Sequence, residues 1–123
     1  MTMLTEFDLP MPDAEEITCR LAEIRKLATA GHAEPALLLA WAAMEAVARS
    51  AARDVFAKPQ SPARIVETLA MEGYITPSEA DRARELVAKR NRLVHGDLKV
   101  RASDREIDDF VDIIERLREF VPS

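Results

Sequence analysis

The chain has 123 residues, 48% of them apolar and 32% charged, with three glycines and seven prolines. That is one domain's worth of sequence, and it is too apolar for disorder and too poor in glycine for a collagenous or low-complexity chain. A net charge of −5 and a single cysteine, Cys19, argue against a dedicated nucleic-acid binder and exclude an intramolecular disulfide scaffold, which fits a reducing compartment such as the cytosol.

Residues 1–12 read as an N-terminal extension with two acidic residues before the first proline and no basic or long apolar run, unlike a signal peptide. Helix signals then recur to the end of the chain, and no stretch alternates as a strand does. Asp13 with Glu16 forms a capping pair, and Ile17, Leu21, Ile24 and Ala28 mark one face of a first helix that Gly31 ends. A second helix is expected over 34–57, apolar all round between Leu37 and Ala48 except for Glu45, so it reads as a central helix enclosed by its neighbours. Its most apolar stretch, residues 35–48, carries Glu45 and is too short to cross a bilayer.

Ser61 and Pro62 open a brief third helix over Ile65, Val66 and Leu69, and Gly73 stops it. Thr76, Pro77 and Glu79 give a fourth helix its capping box and first turn, and it should reach Val94 with Gly96 as terminator. Ser103 and Glu106 cap a fifth helix whose stripe is Ile107, Phe110, Val111, Ile114, Leu117 and Val121. The expectation is an all-α, up-and-down bundle of four to five helices over 13–121.

Charge is unevenly spread. Residues 82–101 hold seven basic side chains against two acidic ones, whereas the rest of the chain carries ten basic and twenty acidic. A solvated helix face is the ordinary reading of such a run. On a helical wheel, however, Ala80, Leu86, Val87, Leu93 and Val94 lie within about 80° of Ala83, and Arg90 falls about 20° from the centre of that apolar arc. A guanidinium stands where leucine is expected. It must therefore meet a carboxylate, line a cleft or face a subunit boundary. Glu45 is the internal carboxylate available, although Arg49, four residues along the same helix, competes for it. Asn91 and His95 share a flank of the fourth helix beside Arg90. His95 also has a plain reading as a capping histidine, because a helix C-terminus favours imidazolium. His32 reads as a loop residue.

The run Arg90, Asn91, Arg92, Leu93, Val94, His95 has the form R-N-x-x-x-H and resembles the signature of HEPN domains, helical bundles that include RNA-cleaving toxins. The alanine-rich central helix with its acidic residue extends the likeness over 13–121. The resemblance implies a homodimer whose arginines and histidines face a shared cleft, and RNA cleavage without a metal or other cofactor by attack of a ribose 2′-hydroxyl. It implies proton transfer by His95, phosphoryl-charge stabilisation by Arg90, orientation by Asn91 and support of Arg90 by Glu45. Lys89, Arg92, Lys99 and Arg101 would rim the cleft and hold RNA phosphates. Toxins and phage-defence components are found in this group, and many carry a tyrosine two residues beyond the histidine that a nucleotidyltransferase antitoxin modifies; Asp97 stands there in this chain.

A non-catalytic HEPN dimerisation or adaptor module, binding RNA, a nucleotide or a protein, is the other reading of the same fold. A DNA-reading helix-turn-helix, with 76–95 as the basic helix after a turn containing Gly73, fits less well, since Arg90 on an apolar stripe suits packing better than groove entry and the net charge is negative. One cysteine and two histidines lack zinc-site spacing, and no glycine-rich phosphate loop is present.

Overall fold

The computed structural model describes residues 11–122, so most of the expected extension, residues 1–10, lies outside the described part. Five helices form: α1 (Ala14–Thr29), α2 (Ala33–Ala51), α3 (Pro62–Met71), α4 (Pro77–Val94) and α5 (Asp104–Leu117), with a closing 3-10 turn at Arg118–Phe120. No strand occurs among the described residues.

Local chemistry sets the helix starts. Asp13, Thr76 and Ser103 each complete a capping box with the glutamate three residues on; at α4 the Thr76 hydroxyl accepts from the Glu79 N–H at 3.1 Å while the Glu79 carboxylate accepts from the Thr76 N–H at 2.8 Å. Glu79 is buried and also meets Arg116 of α5 at 3.2 Å, so the start of α4 is tied to the end of α5.

Packing then selects the faces. The predicted stripe of α1 (Ile17, Leu21, Ile24, Ala28) and all of the α5 stripe through Leu117 are buried against α2, while Val121 is half-buried. Trp41 and Phe110 meet with ring centroids 4.9 Å apart at 46° in the centre of this three-helix core, a tilted arrangement that the ring quadrupoles favour. A second unit, α3 with α4, leans on α2 through Ile65, Val66, Leu69, Ala80 and Ala83.

Two expectations about α2 need correction. The helix ends at Ala51, not at residue 57, and residues 53–56 form a turn held by Phe56 N–H donating to the Ala52 carbonyl at 3.0 Å. Continued helix would carry Phe56 about 120° from the buried face, whereas the turn places its ring in the core. Nor is α2 enclosed on every side. Leu38 and Ala42 are exposed and Glu45, Ala46 and Arg49 are half-buried, leaving one strip of the central helix at the surface.

Candidate functional site

The apolar stripe of α4 serves two purposes along its length. Ala80, Ala83, Leu86 and Val87 are buried, but one turn later the stripe leaves the core: Leu93 is half-buried and Val94 is 45% exposed. Arg90 and Asn91 lie at this exit, both half-buried, and the Arg90 Nη1 donates to the Asn91 Oδ1 at 3.0 Å. Among the described residues no carboxylate comes within the 4.0 Å of an ion pair with Arg90.

Glu45 approaches from α2. Its carboxyl is pushed above the ordinary glutamate range by burial, with the positive charges of Arg90 and then Arg49 pulling in the opposite direction. With no Arg90–Glu45 contact within 4.0 Å, the two do not form the sealed ion pair that would account for Arg90 as a purely internal residue. Arg90 feels Glu45 as a neighbouring charge, and among the described residues its one side-chain bond is that to Asn91.

His95 stands at the C-terminal cap of α4 and is exposed. The chain turns immediately after it by a Schellman motif: Asp97 N–H donates to the Arg92 carbonyl at 2.9 Å and Gly96 N–H to the Leu93 carbonyl at 3.1 Å. Gly96 adopts φ +93°, a conformation that side chains disfavour, so the reversal after His95 depends on glycine. The following segment is anchored at four points. Asp97 accepts from Arg92 Nη2 at 2.7 Å and from the Lys99 N–H at 3.1 Å, Val100 is buried, the Ala102 N–H donates to Glu34 of α2 at 2.8 Å, and the Ser103 N–H donates to Glu106 at 2.9 Å. His95 is thus displayed on a braced corner.

Of the four cations expected to rim the cleft, three are engaged. Lys89 bridges to Glu106 of α5 at 2.8 Å, and although burial pushes the Glu106 carboxyl up, its bonds from Lys89 and Ser103 hold it below the usual range. Arg92 is held by Asp97, whose carboxyl is lowered first by that bond and then by the Lys99 N–H. Arg101 folds onto the carbonyls of Leu98 and Val100. Lys99 is exposed with no side-chain bond among the described residues. The exposed Arg92–Asp97 pair is worth little, and a phosphate can compete for the same cation.

The sequence model of the family described as Ribonuclease HepT-like matches residues 32–122, from the start of α2 through the 3-10 turn. The chain belongs to this family. Its HepT-like segment contains α2 to α5 and hence Glu45, Arg90, Asn91 and His95; α1 precedes the match and completes the same core. No curated protein and no solved structure matches the chain.

Among the described residues no three histidine, cysteine or acidic side chains converge as metal ligands, and no helix is long and apolar enough to cross a membrane. The 430 Å³ groove between α1 and α2, lined by Cys19, Leu39, Ala42 and Ala46 among others, contains none of Arg90, Asn91 and His95. Two features escaped reading from sequence. The pairing of Asp97 with Arg92 depends on the turn at Gly96, and the half-burial of Arg49 was signalled only by its place one turn beyond Glu45.

Proposed function

We propose that this HepT-like protein is a metal-independent RNA endonuclease whose site is composed from two copies of the chain. The observation that carries this reading is the half-buried Arg90 with Asn91, which has no carboxylate within ion-pair distance among the described residues, one turn before an exposed histidine. An arginine in that setting is a permanently charged forked donor suited to a phosphoryl group.

The reaction balances on groups of this chain. One His95 accepts the proton of the ribose 2′-hydroxyl as its oxygen attacks the adjacent phosphorus. The bond to the 5′-oxygen breaks, and that oxygen receives a proton from the second copy's His95. The products are a 2′,3′-cyclic phosphate and a 5′-hydroxyl, with no net consumption of protons. Arg90 neutralises the charge gathering on the non-bridging oxygens, Asn91 holds the guanidinium at its Nη1, and Glu45 supports Arg90 from α2. Lys99, together with Lys89, Arg92 and Arg101 when phosphate displaces their present partners, holds the strand.

A second copy is favoured by apolar surface beside these residues. Val94 is 45% and Leu98 79% exposed at the end of α4, and Leu38 and Ala42 are exposed on the open strip of α2. Covering apolar side chains at a two-fold interface explains why the stripe of α4 continues past the core. A toxin or phage-defence role, with an antitoxin partner, fits the family; Asp97 in place of the modifiable tyrosine argues that neutralisation takes another route than nucleotide addition at that position.

The ion pair of Asp97 with Arg92 also favours a second reading, a non-catalytic module that binds RNA, a nucleotide or a protein, because it reduces the positive field beside His95. Incubation of purified protein with structured RNA in EDTA separates the two. The nuclease predicts 5′-hydroxyl fragments, lost in His95→Ala and Arg90→Ala variants that remain folded; intact RNA with the unaltered protein favours the module.

A further inference from the structure

Four arginines are half-buried in this structure: Arg25, Arg49, Arg90 and Arg118. Arg25 bonds Asp108 and Asp112 at 2.9 and 2.6 Å, and Arg118 bonds Glu115, Thr18 and the Ala14 carbonyl. These two are satisfied in the manner that partial burial demands. Arg49 and Arg90 are not. Neither has a carboxylate within 4.0 Å among the described residues, and the Arg49 Nε is fully shielded from solvent without a hydrogen-bond partner. Both guanidiniums nevertheless lie close enough to Glu45 to act on its charge.

Two permanent positive charges thus share one carboxyl at the meeting of α2 and α4. With Glu45 ionised the cluster keeps a surplus positive charge, and with Glu45 neutral it keeps two. Helix geometry places Arg49 one turn beyond Glu45 on the same strip of α2, the strip that is left open to the surface. A surplus of positive charge on an open face is what an anion with several acceptor oxygens would complete, and it would do so through the terminal nitrogens of Arg49, since the Nε is shielded.

We propose that Arg49 is a second phosphate-binding residue, paired with Arg90 across Glu45 and holding a phosphodiester of the RNA strand. This rests on the nuclease reading for the identity of the ligand, but not for the binding itself. Glu45 then has a dual role: it keeps the two guanidiniums from driving each other apart, and it leaves them unsaturated. Arg49 adds a contact that the R-N-x-x-x-H run on α4 does not supply.

The test is binding of a 5′-fluorescein-labelled, mixed-sequence single-stranded RNA, followed by anisotropy in the His95→Ala background so that cleavage does not intervene. Arg49→Gln is expected to weaken binding about tenfold and to reduce the salt slope by about one, with partial recovery in Arg49→Lys. Arg49→Met serves as a second variant, and circular dichroism checks that each is folded. The same Arg49→Gln change is made in an E45Q protein. A further loss there supports direct contact with phosphate, whereas a loss confined to the chain with Glu45 intact means that Arg49 only balances that carboxyl and overturns the proposal. Unchanged affinity and slope, or no RNA binding at 50 mM salt, overturns it too. If the unaltered protein cuts no RNA but Arg49→Gln still weakens binding, the nuclease reading fails and the phosphate site stands.

Discussion

Replacing Arg90 by methionine separates a functional guanidinium from a structural one. Methionine keeps the alkyl contacts of the arginine stem on the α4 stripe and removes a half-buried charge together with its desolvation cost. What is lost is one bond, Nη1 to Asn91 Oδ1 at 3.0 Å, worth roughly 1 kcal/mol at a partly solvated site, and part of the attraction to Glu45, which keeps Arg49 as a neighbour. The terms nearly cancel, so stability should change by no more than about 1 kcal/mol, or about 5 °C in Tm for a domain of this size. RNA cleavage should fall about 10²- to 10³-fold, the usual effect of losing one donor to a charged transition state. Guanidinium chloride unfolding, followed by the fluorescence of the single tryptophan, Trp41, reads the first quantity, and product formation in EDTA reads the second. An internal ion pair broken at one partner would cost about 3–5 kcal/mol. A loss of that size, or cleavage that persists in a stable Arg90→Met protein, refutes the reasoning.

Other consequences follow from the same packing. Burial raises the Glu45 carboxyl, so the folded chain holds that proton more tightly than the unfolded one; the stability this contributes is complete below the ordinary glutamate range and is lost as pH rises through the raised value. Glu45→Gln should therefore have the higher Tm at pH 7 and match the parent below about pH 4, and a lower Tm at pH 7 would contradict the burial argument. Phe110→Ala empties the centre of the core beside Trp41 and should cost about 3–5 kcal/mol with a marked change in tryptophan emission; a cost below 1 kcal/mol would mean that the three-helix core is not packed as described. Leu98→Lys changes an exposed apolar side chain and should leave Tm nearly unchanged while shifting sedimentation from dimer to monomer at micromolar concentration. A dimer that is unaffected, or a parent chain that is monomeric, counts against the shared site.

Much of this molecule is written in short-range chemistry. Asp13, Thr76 and Ser103 with their glutamates, and the glycines that end α1, α3 and α4, specify helix boundaries through groups three to six residues apart, so they could be read without knowing the fold. The buried stripes of α1 and α5 follow from helical period alone, and so does the odd position of Arg90 on the stripe of α4. The resemblance of residues 90–95 to HEPN domains agrees with the family match over residues 32–122.

Tertiary structure decided the rest, wherever the outcome depended on which of several partners lies nearest in space. Period marks Leu93 and Val94 as core, but the α4 stripe outlasts the surface it packs on, so these side chains emerge beside Arg90. Composition marks α2 as enclosed, but the other four helices do not surround it, and the uncovered strip exposes Leu38 and leaves Glu45 and Arg49 half-buried together. Seven cations within 82–101 look like one basic face, yet Lys89, Arg92 and Arg101 take their partners from α5, from beyond the Gly96 turn and from the following loop, while Arg90 has no acid within ion-pair distance among the described residues. Helical spacing determines the direction of a side chain from its own helix axis; whether it meets an acid, a neighbouring helix or water is determined by how the helices are placed against one another.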